Sequence, residues 1–398
     1  MSTPAQFVEP INFSELRNRL EKWLEKHIAS TDDFNPPPRR VTFVLGAGVS
    51  LALANPSKRS QASWTGLLST LLGGTSKRLN AGYLKDGLKE HLWLKQTSVQ
   101  HRMHIIQILS QGNADMSVAM MYLLNRLHRQ HITPRKRKNI YSWQEDLNAA
   151  MHQIEQGAPD DNWQKVLKQM GQLAREGKTL LVTTNFDHLV AKQTKLPIYL
   201  GPRKITIPAS IKDSTYCTWP DGCLIPTRWV KRKAMLKREE FATSILRRTL
   251  PAPAAFHQAW KRPSSIPQSW FTQLASVLHI HGSRLLPTSL VFDPSSYDSI
   301  SDSGDGSNLL GSLIHEPTHS GAVIFIGCGG TLFDPHFIKY WQNRGKNSFV
   351  ACLASEEAAD DLARQFHIFN FRRAPLVVSY GKDHADLPKE LKDLLALL

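Results

Sequence analysis

The stretch that decides the fold is VTFVLGAGVS, residues 41–50. Its first half is apolar and β-branched with almost no polar alternation, which is typical of a parallel strand buried on both faces. Gly46 and Gly48 then let the chain turn sharply into a helix and bring its backbone close to a ligand phosphate. The third glycine of the dinucleotide fingerprint is absent, because the chain carries Leu51 there. The stretch therefore predicts a strand–turn–helix unit of an α/β protein.

Three later segments repeat this organisation along the chain. They read TTNFD at residues 183–187, HGS at residues 281–283, and GCGGT at residues 327–331, the last running on to Asp334-Pro335. Each follows a short apolar run with the character of a buried strand. Open α/β sheets bind ligands at the carboxyl ends of their parallel strands. The sequence thus predicts a Rossmann-like parallel sheet with four loops available to one ligand.

Taken together, the four segments resemble the sirtuin (silent information regulator) family, and most closely its divergent bacterial branch of NAD hydrolases in anti-phage defence. The resemblance implies that the loop at residues 46–50 wraps the NAD diphosphate. It implies that Asn185 holds the nicotinamide ribose or the attacking water, that His281 is the general base, and that Asp187 organises the pocket. The loop beginning at Gly327 would line the adenosine side.

The resemblance also implies a set of residues in contact with NAD. The set comprises Gly46, Ala47, Gly48, Ser50, Thr184, Gly282, Gly327, Gly329 and Thr331. Within it, Ser50 has two compatible roles, as a hydrogen-bond donor to phosphate and as a helix cap.

Departures from the deacylating sirtuins narrow the expected chemistry. Those enzymes carry a zinc ribbon of two Cys-x-x-Cys pairs, whereas Cys217 and Cys223 of this chain are separated by five residues, a poor spacing for structural zinc. Thr184 stands where deacylases have glutamine, while Pro56, Ser63-Trp64 and Leu67-Leu68 match elements of the defence branch. We therefore expect NAD as a substrate, no metal, and glycosidic cleavage rather than deacylation.

The expected reaction suits these residue types. Breaking the bond between nicotinamide and ribose passes through an oxocarbenium-like state, so the protein has to position water and stabilise positive charge. An amide such as Asn185 binds hydroxyls or water without adding charge, and a histidine such as His281 accepts a proton. The competing interpretations are a helix-capping turn for Asn185 and an ordinary buried histidine for His281. His279 shares a strand face with His281, and we expect it to be a satisfied core or supporting residue.

Two further functions stay open on the sequence. One is NAD-dependent ADP-ribosyl transfer or protein deacylation, which the missing zinc ribbon disfavours. The other is a nucleotide-sensing or nucleic-acid-binding module with a silent pocket, which the presence of both Asn185 and His281 disfavours.

Composition sets the remaining bounds. The chain has 398 residues, a net charge of +15 and four scattered cysteines, which fit a reducing cytoplasm. It has no apolar run of the about 20 residues that a membrane span requires. Basic clusters at residues 129–138 and 228–248 indicate solvated helix faces, or contact with nucleic acid or an acidic partner. The resemblance further implies a homo-oligomer and, in some relatives, a partner ATPase or Argonaute.

The predicted organisation alternates scaffold and inserts. It comprises an N-terminal helix and Pro-rich linker at 1–40, NAD-binding scaffold at 41–95, 176–200 and 271–398, a helical insert at 96–175, and a basic irregular insert at 201–270.

Overall fold

The structure is a computed structural model. It describes residues 9–28, 39–62, 67, 143–157, 160–200, 216–219, 223–226, 275–286, 289–291, 320–334, 337–338, 340–341, 349–369, 371, 374–382 and 384–398. Predictions for residues 96–142, and for both basic clusters, lie outside the described residues.

A ten-stranded sheet forms the centre of the molecule, in the order β1-β10-β9-β8-β2-β3-β7-β4-β6-β5. The strands are β1 (Ile11–Asn12), β2 (Arg39–Leu45), β3 (Thr179–Thr183), β4 (Ile198–Tyr199), β5 (Tyr216–Trp219), β6 (Cys223–Pro226), β7 (Val277–His279), β8 (Ser320–Ile326), β9 (Phe349–Ala354) and β10 (Leu376–Ser379). In this spatial order, every neighbouring pair from β1 across the sheet to β4 is parallel, while β6 pairs antiparallel with both β4 and β5. The predicted α/β fold with a Rossmann-like parallel sheet is confirmed.

Helices cover both faces of this sheet. They are α1 (Phe13–Ile28), α2 (Ala47–Leu53), α3 (Trp143–Ile154), α4 (Asp161–Arg175), α5 (Leu189–Thr194), α6 (Glu356–Ile368) and α7 (Leu387–Leu395), with 3-10 turns at Pro56–Ala62 and Gly329–Phe333. One apolar cluster packs the helices from α1 through α5, together with α7, against one face of the sheet. A second cluster packs α6 against the other face. The sheet is thus buried on both sides, as its apolar strands require.

Helix α4 shows how the sequence places one of these elements. Asp160 caps it, because its carboxylate accepts hydrogen bonds from the backbone amides of Asn162 and Trp163. Its apolar stripe includes Trp163 and Leu167, both buried in the cluster that covers β2 and β3. Burying one such leucine stabilises the fold by roughly 1.5–3 kcal/mol. Although α4 falls in the segment predicted as an insert, it packs in the main core.

The hairpin of β5 and β6 lies in the segment predicted as a basic irregular insert, 201–270. Within its described residues, Tyr216–Trp219 and Cys223–Pro226 add two strands to the sheet edge. Aromatic and β-branched residues with high strand propensity, which the first segment carries, favour this pairing.

Strand register positions the four predicted loops. Leu45 pairs with Thr183 on one side and with Ile326 on the other, and Thr183 pairs with His279. Strands β8, β2, β3 and β7 therefore end level with one another, and all four motif loops leave the same edge of the sheet.

Among the described residues, no helix combines the length and apolar character needed to cross a membrane.

Candidate functional site

The two glycine-rich loops pack directly against each other. The Gly48 amide donates to the Gly327 carbonyl at 2.8 Å, and the Gly46 amide donates to the Ile326 carbonyl at 2.9 Å. A Cβ on Gly46 would lie 2.4 Å from the Cα of Cys328, and one on Gly48 would lie 2.8 Å from the Cα of Gly327. These glycines are therefore required by contact between loops.

This packing changes the interpretation of the first loop. Gly46 has a φ of −101°, which any residue adopts, so the turn itself does not require glycine. Two of the amides expected to face a diphosphate, those of Gly46 and Gly48, are already bonded inside the protein. Ala47 is the loop residue that lines the pocket described below. A diphosphate contact by this loop stays a prediction.

Three buried polar side chains form what we call the amide–carboxylate cluster: Ser50, Asn185 and Asp187. The Asn185 side-chain nitrogen donates to the Gly46 carbonyl at 2.8 Å and to the Ser50 hydroxyl at 2.7 Å. The hydroxyl in turn donates to the Asp187 carboxylate at 2.6 Å. Hydrogen bonds thus run from the Asn185 amide through the Ser50 hydroxyl to the Asp187 carboxylate. They join α2, which carries Ser50, to the loop after β3.

The bonding pattern fixes the orientation of the Asn185 amide. A backbone carbonyl only accepts hydrogen bonds, so the group 2.8 Å from the Gly46 carbonyl has to be the amide nitrogen. The amide oxygen is left as the remaining hydrogen-bonding group of this side chain. Asn185 lines the pocket, so this oxygen is the acceptor that it can offer to a ligand.

The pKa of the Asp187 carboxyl lies close to neutral pH. Burial raises its pKa to about 6, and the negative charge of Glu155 also raises it. The hydrogen bonds from Ser50 and from the Leu189 amide oppose this rise, as does the charge of Arg284. A carboxylate with this pKa is ionised at neutral pH and still able to accept a proton.

A pocket opens beside this cluster. It contains about 380 Å³ of space between atoms, some of it open to solvent. Its described lining residues are Ala47, Ala62, Leu67, Met151, Thr184, Asn185, Phe186, Asp187 and Thr331. One part of the wall is apolar and the other carries amide, carboxylate and hydroxyl groups, a combination typical of ligand sites.

The two histidines at the end of β7, which we call the histidine pair, are His279, the last residue of the strand, and His281 in the loop after it. Burial lowers the pKa of His279 to about 4 and that of His281 to about 3, so both imidazoles are neutral at pH 7. The His281 ring lies 6.4 Å from that of Phe186, centroid to centroid, but His281 is not among the described lining residues. The structure therefore brings Asn185 and Asp187 together in the pocket wall, whereas His281 is buried next to Phe186 and is not part of the described lining.

His279 differs from its expected role as a satisfied residue. It is buried, but neither ring nitrogen completes a hydrogen bond with a described residue. The carbonyls of Gly282 and Asn185 lie near enough to favour protonation, and burial outweighs them. The neutral ring is accommodated instead by an edge-on contact with His188 at 5.7 Å.

The other predicted binding residues occupy supporting places. Gly282 has a φ of +90°, and a Cβ there would lie 2.1 Å from the Ser289 carbonyl oxygen, so only glycine fits. Thr184 and Thr331 line the pocket. Gly329 is exposed and has open space around it.

Sequence reasoning missed a buried ion pair behind the site. Glu155 follows α3 and Arg284 follows the HGS motif, and the Arg284 Nε lies 2.8 Å from the Glu155 carboxylate. His188 Nε2 lies 2.7 Å from the Ser283 hydroxyl in the same region. The only sequence signal was the position of Arg284 next to the motif, because Glu155 lies 129 residues away from it.

Within the described part of the chain, no group of three or more His, Cys, Asp or Glu side chains could hold a metal ion. Residues Cys217 and Cys223 fall on β5 and β6, whose pairing places Cys223 opposite Trp219. A metal-free site stays a prediction. No protein-family model matches this chain.

Proposed function

We propose that this protein is an NAD+ hydrolase that cleaves NAD+ to nicotinamide and ADP-ribose. The observation that carries the proposal is the pocket at the ends of adjacent parallel strands, in which Asn185 and Asp187 are joined through Ser50. This is the place where open α/β sheets bind nucleotides. The four motifs that resemble the sirtuin family meet at this edge.

The residues of the pocket suit the two needs of the reaction. Water adds to the anomeric carbon of the ribose, and the bonding electrons of the glycosidic bond pass to the nicotinamide nitrogen. The Asn185 amide oxygen can hold a ribose hydroxyl or this water, because its nitrogen is already bonded to Gly46 and Ser50. The Asp187 carboxylate can stabilise the positive charge that develops on the sugar.

The proton released from water needs an acceptor. His281 is the predicted base, and its lowered pKa of about 3 keeps the imidazole neutral and able to accept. Since His281 is not among the described lining residues, we propose that it reaches the reacting water only when substrate is bound. Asp187, with a pKa of about 6 and a side chain in the pocket wall, is the second candidate acceptor.

Further parts of the proposal follow from the wall and the charge. Met151, Leu67 and Phe186 offer apolar surface for a flat ring, and the polar part of the wall offers hydrogen-bonding groups for ribose hydroxyls. The net charge of +15 attracts an anionic dinucleotide. By its resemblance to defence enzymes, the protein would act on the cytoplasmic NAD+ pool of infected cells, as a homo-oligomer or with a partner ATPase.

The test is product analysis. Purified protein is incubated with NAD+, alone and with candidate activators such as duplex DNA, and the products are separated by chromatography. We expect nicotinamide and ADP-ribose from the native protein and from Asn18→Ala, an exposed asparagine on α1. We expect almost none from Asn185→Ala.

Each alternative function predicts a different product pattern. ADP-ribosyl transfer would place ADP-ribose on protein, detectable by mass spectrometry, and deacylation would consume an acylated peptide. Binding of NAD+ without any product under all these conditions would contradict hydrolysis and favour a nucleotide sensor.

A further inference from the structure

A buried ion pair links α3 to the loops of the proposed site. Glu155 is 7% exposed and Arg284 is 1% exposed. The Arg284 Nε and Nη2 each lie 2.8 Å from one oxygen of the Glu155 carboxylate, so the pair is bidentate. The remaining Nη1 donates to the Asn148 side chain on α3 at 2.5 Å.

The same two residues hold the backbone on both sides of Asp187. The Glu155 carboxylate accepts a hydrogen bond from the His188 amide at 2.7 Å. The Arg284 amide donates to the Phe186 carbonyl at 3.1 Å. The turn that carries Asp187 is therefore bonded to Arg284 before the carboxylate and to Glu155 after it, in addition to the bond from Ser50.

Net stability gives little reason for such a pair. A buried ion pair is often no better than apolar packing of the same volume, because both charges lose their hydration. What the pair does provide is one geometry, since a planar guanidinium and a carboxylate meet in a fixed fork. Here that geometry fixes the Asp187 turn and also holds α3, whose Met151 lines the pocket.

We propose that Glu155 and Arg284 are positioning residues that hold the Asp187 turn in its reactive arrangement and keep α3 as one wall of the pocket. The reaction-related part of this inference rests on the proposed NAD+ hydrolysis. The structural part concerns the free protein and stands independently of it. Helix α3, expected from sequence to belong to an insert, is then a component of the site.

The first variant is Glu155→Gln, which keeps an acceptor for the His188 amide and for one Arg284 nitrogen but removes the charge. The matched control is Glu176→Gln, an exposed glutamate next to α4. We expect kcat for NAD+ cleavage to fall about tenfold or more in Glu155→Gln with KM nearly unchanged, because the reacting groups shift while most contacts remain. Equal kcat values in Glu155→Gln and the control would overturn the proposal.

The second variant exchanges the two residues, Glu155→Arg with Arg284→Glu. It restores opposite charges but leaves no acceptor for the His188 amide. We expect its melting temperature to recover relative to either single substitution, while turnover stays low. Recovery of turnover together with stability would show that the pair is only structural.

A third measurement needs no NAD+ and guards against a failed functional assay. Amide hydrogen exchange of the free protein is compared between Glu155→Gln and Leu391→Ala, a core substitution in α7, at denaturant levels that equalise global stability. We expect selective loss of protection at residues 143–157 and 185–190 in Glu155→Gln. A uniform loss matching that of Leu391→Ala would overturn the positioning role of Glu155 and Arg284, whereas a silent NAD+ assay with selective loss would contradict only the proposed function.

Discussion

The amide–carboxylate cluster and the histidine pair stand at the ends of neighbouring strands, yet they are built in opposite ways. Ser50, Asn185 and Asp187 are buried with a hydrogen bond at each step, and two of them line the pocket. His279 and His281 are also buried, and neither is among the described lining residues. Adjacency of strand ends therefore brings these side chains to one edge of the sheet, while only some of them line the described pocket.

Removing Asn185 should produce the largest effect. Asn185→Ala deletes the amide that bonds the Gly46 carbonyl and the Ser50 hydroxyl and that faces the pocket. We expect NAD+ turnover to fall about 10²–10³-fold, the loss usual for one preorganised polar contact. Steady-state kinetics measures this, with circular dichroism to confirm folding. Turnover within about twofold of the native rate would remove the cluster from the mechanism.

Comparing the two histidines tests the second region directly. His281→Ala should lower turnover by at least about tenfold, because a general base contributes that much or more. His279→Ala should lower it less, and His367→Ala, an exposed control on α6, should leave it unchanged. The opposite ranking of His279 and His281 would show that the base is misassigned. Equal, small effects would leave proton acceptance to Asp187.

The two regions should also give opposite dependences of stability on pH. The folded pKa of Asp187 is raised from 3.8 to about 6, so the native state keeps a proton that the unfolded chain releases. The contribution of Asp187 to the free energy of unfolding therefore falls by about 3 kcal/mol as pH rises from about 4 to 6. The lowered pKa values of His279 and His281 act oppositely between about 3 and 6.5, by roughly 3–5 kcal/mol each.

Urea unfolding of the native protein, Asp187→Asn and His281→Gln from pH 4.5 to 7.5 measures both slopes. As pH rises to 6, the free energy of unfolding of Asp187→Asn should increase relative to that of the native protein. As pH falls, the free energy of unfolding of His281→Gln should increase relative to that of the native protein. Parallel curves for all three proteins would contradict the shifted pKa values of Asp187 and His281.

Alanine substitutions at two glycines test the packing between the two glycine-rich loops. Gly46→Ala would place a Cβ 2.4 Å from the Cα of Cys328, whereas Gly330 has open space around it. We expect Gly46→Ala to destabilise the protein by about 1–3 kcal/mol, as overpacking does. Gly330→Ala should change stability by less than about 0.5 kcal/mol. Equal melting temperatures in both variants would argue against the interlocked loops.

Chelation should have the smallest effect, which is none. The predicted reaction needs no Lewis acid, so treatment with EDTA should leave NAD+ cleavage unchanged, as measured by product chromatography. Loss of activity that zinc restores would indicate a metal at the histidines or at Cys217 and Cys223.

The sequence predicted the frame of this site well, because the frame is made by local signals. An apolar run followed by small or polar residues marks the end of a buried strand, as at residues 41–50, and all four predicted strands are present. The loop residues Asn185 and Asp187 stood out through the resemblance of the four motifs together, because Asn185 by itself also fits a helix-capping turn.

The rest depended on contacts between distant parts of the chain. Ser50 and Asp187 are 137 residues apart, and Glu155 and Arg284 are 129 apart, so no periodicity in the sequence could pair them. The need for glycine at position 46 arises from Cys328, not from the local turn. Whether His281 reaches the pocket likewise depends on what covers it.

By itself, then, the sequence determined the four strands that precede the motifs and the residue types at their ends, because hydrophobic burial and backbone turns are read within a few residues. Only the tertiary structure decided which polar groups are bonded to one another, which are left facing the pocket, and how far burial moves their pKa values. Hydrogen bonding and desolvation depend on the three-dimensional neighbours of each group, and the fold draws those neighbours from α2, α3 and the ends of β3, β7 and β8.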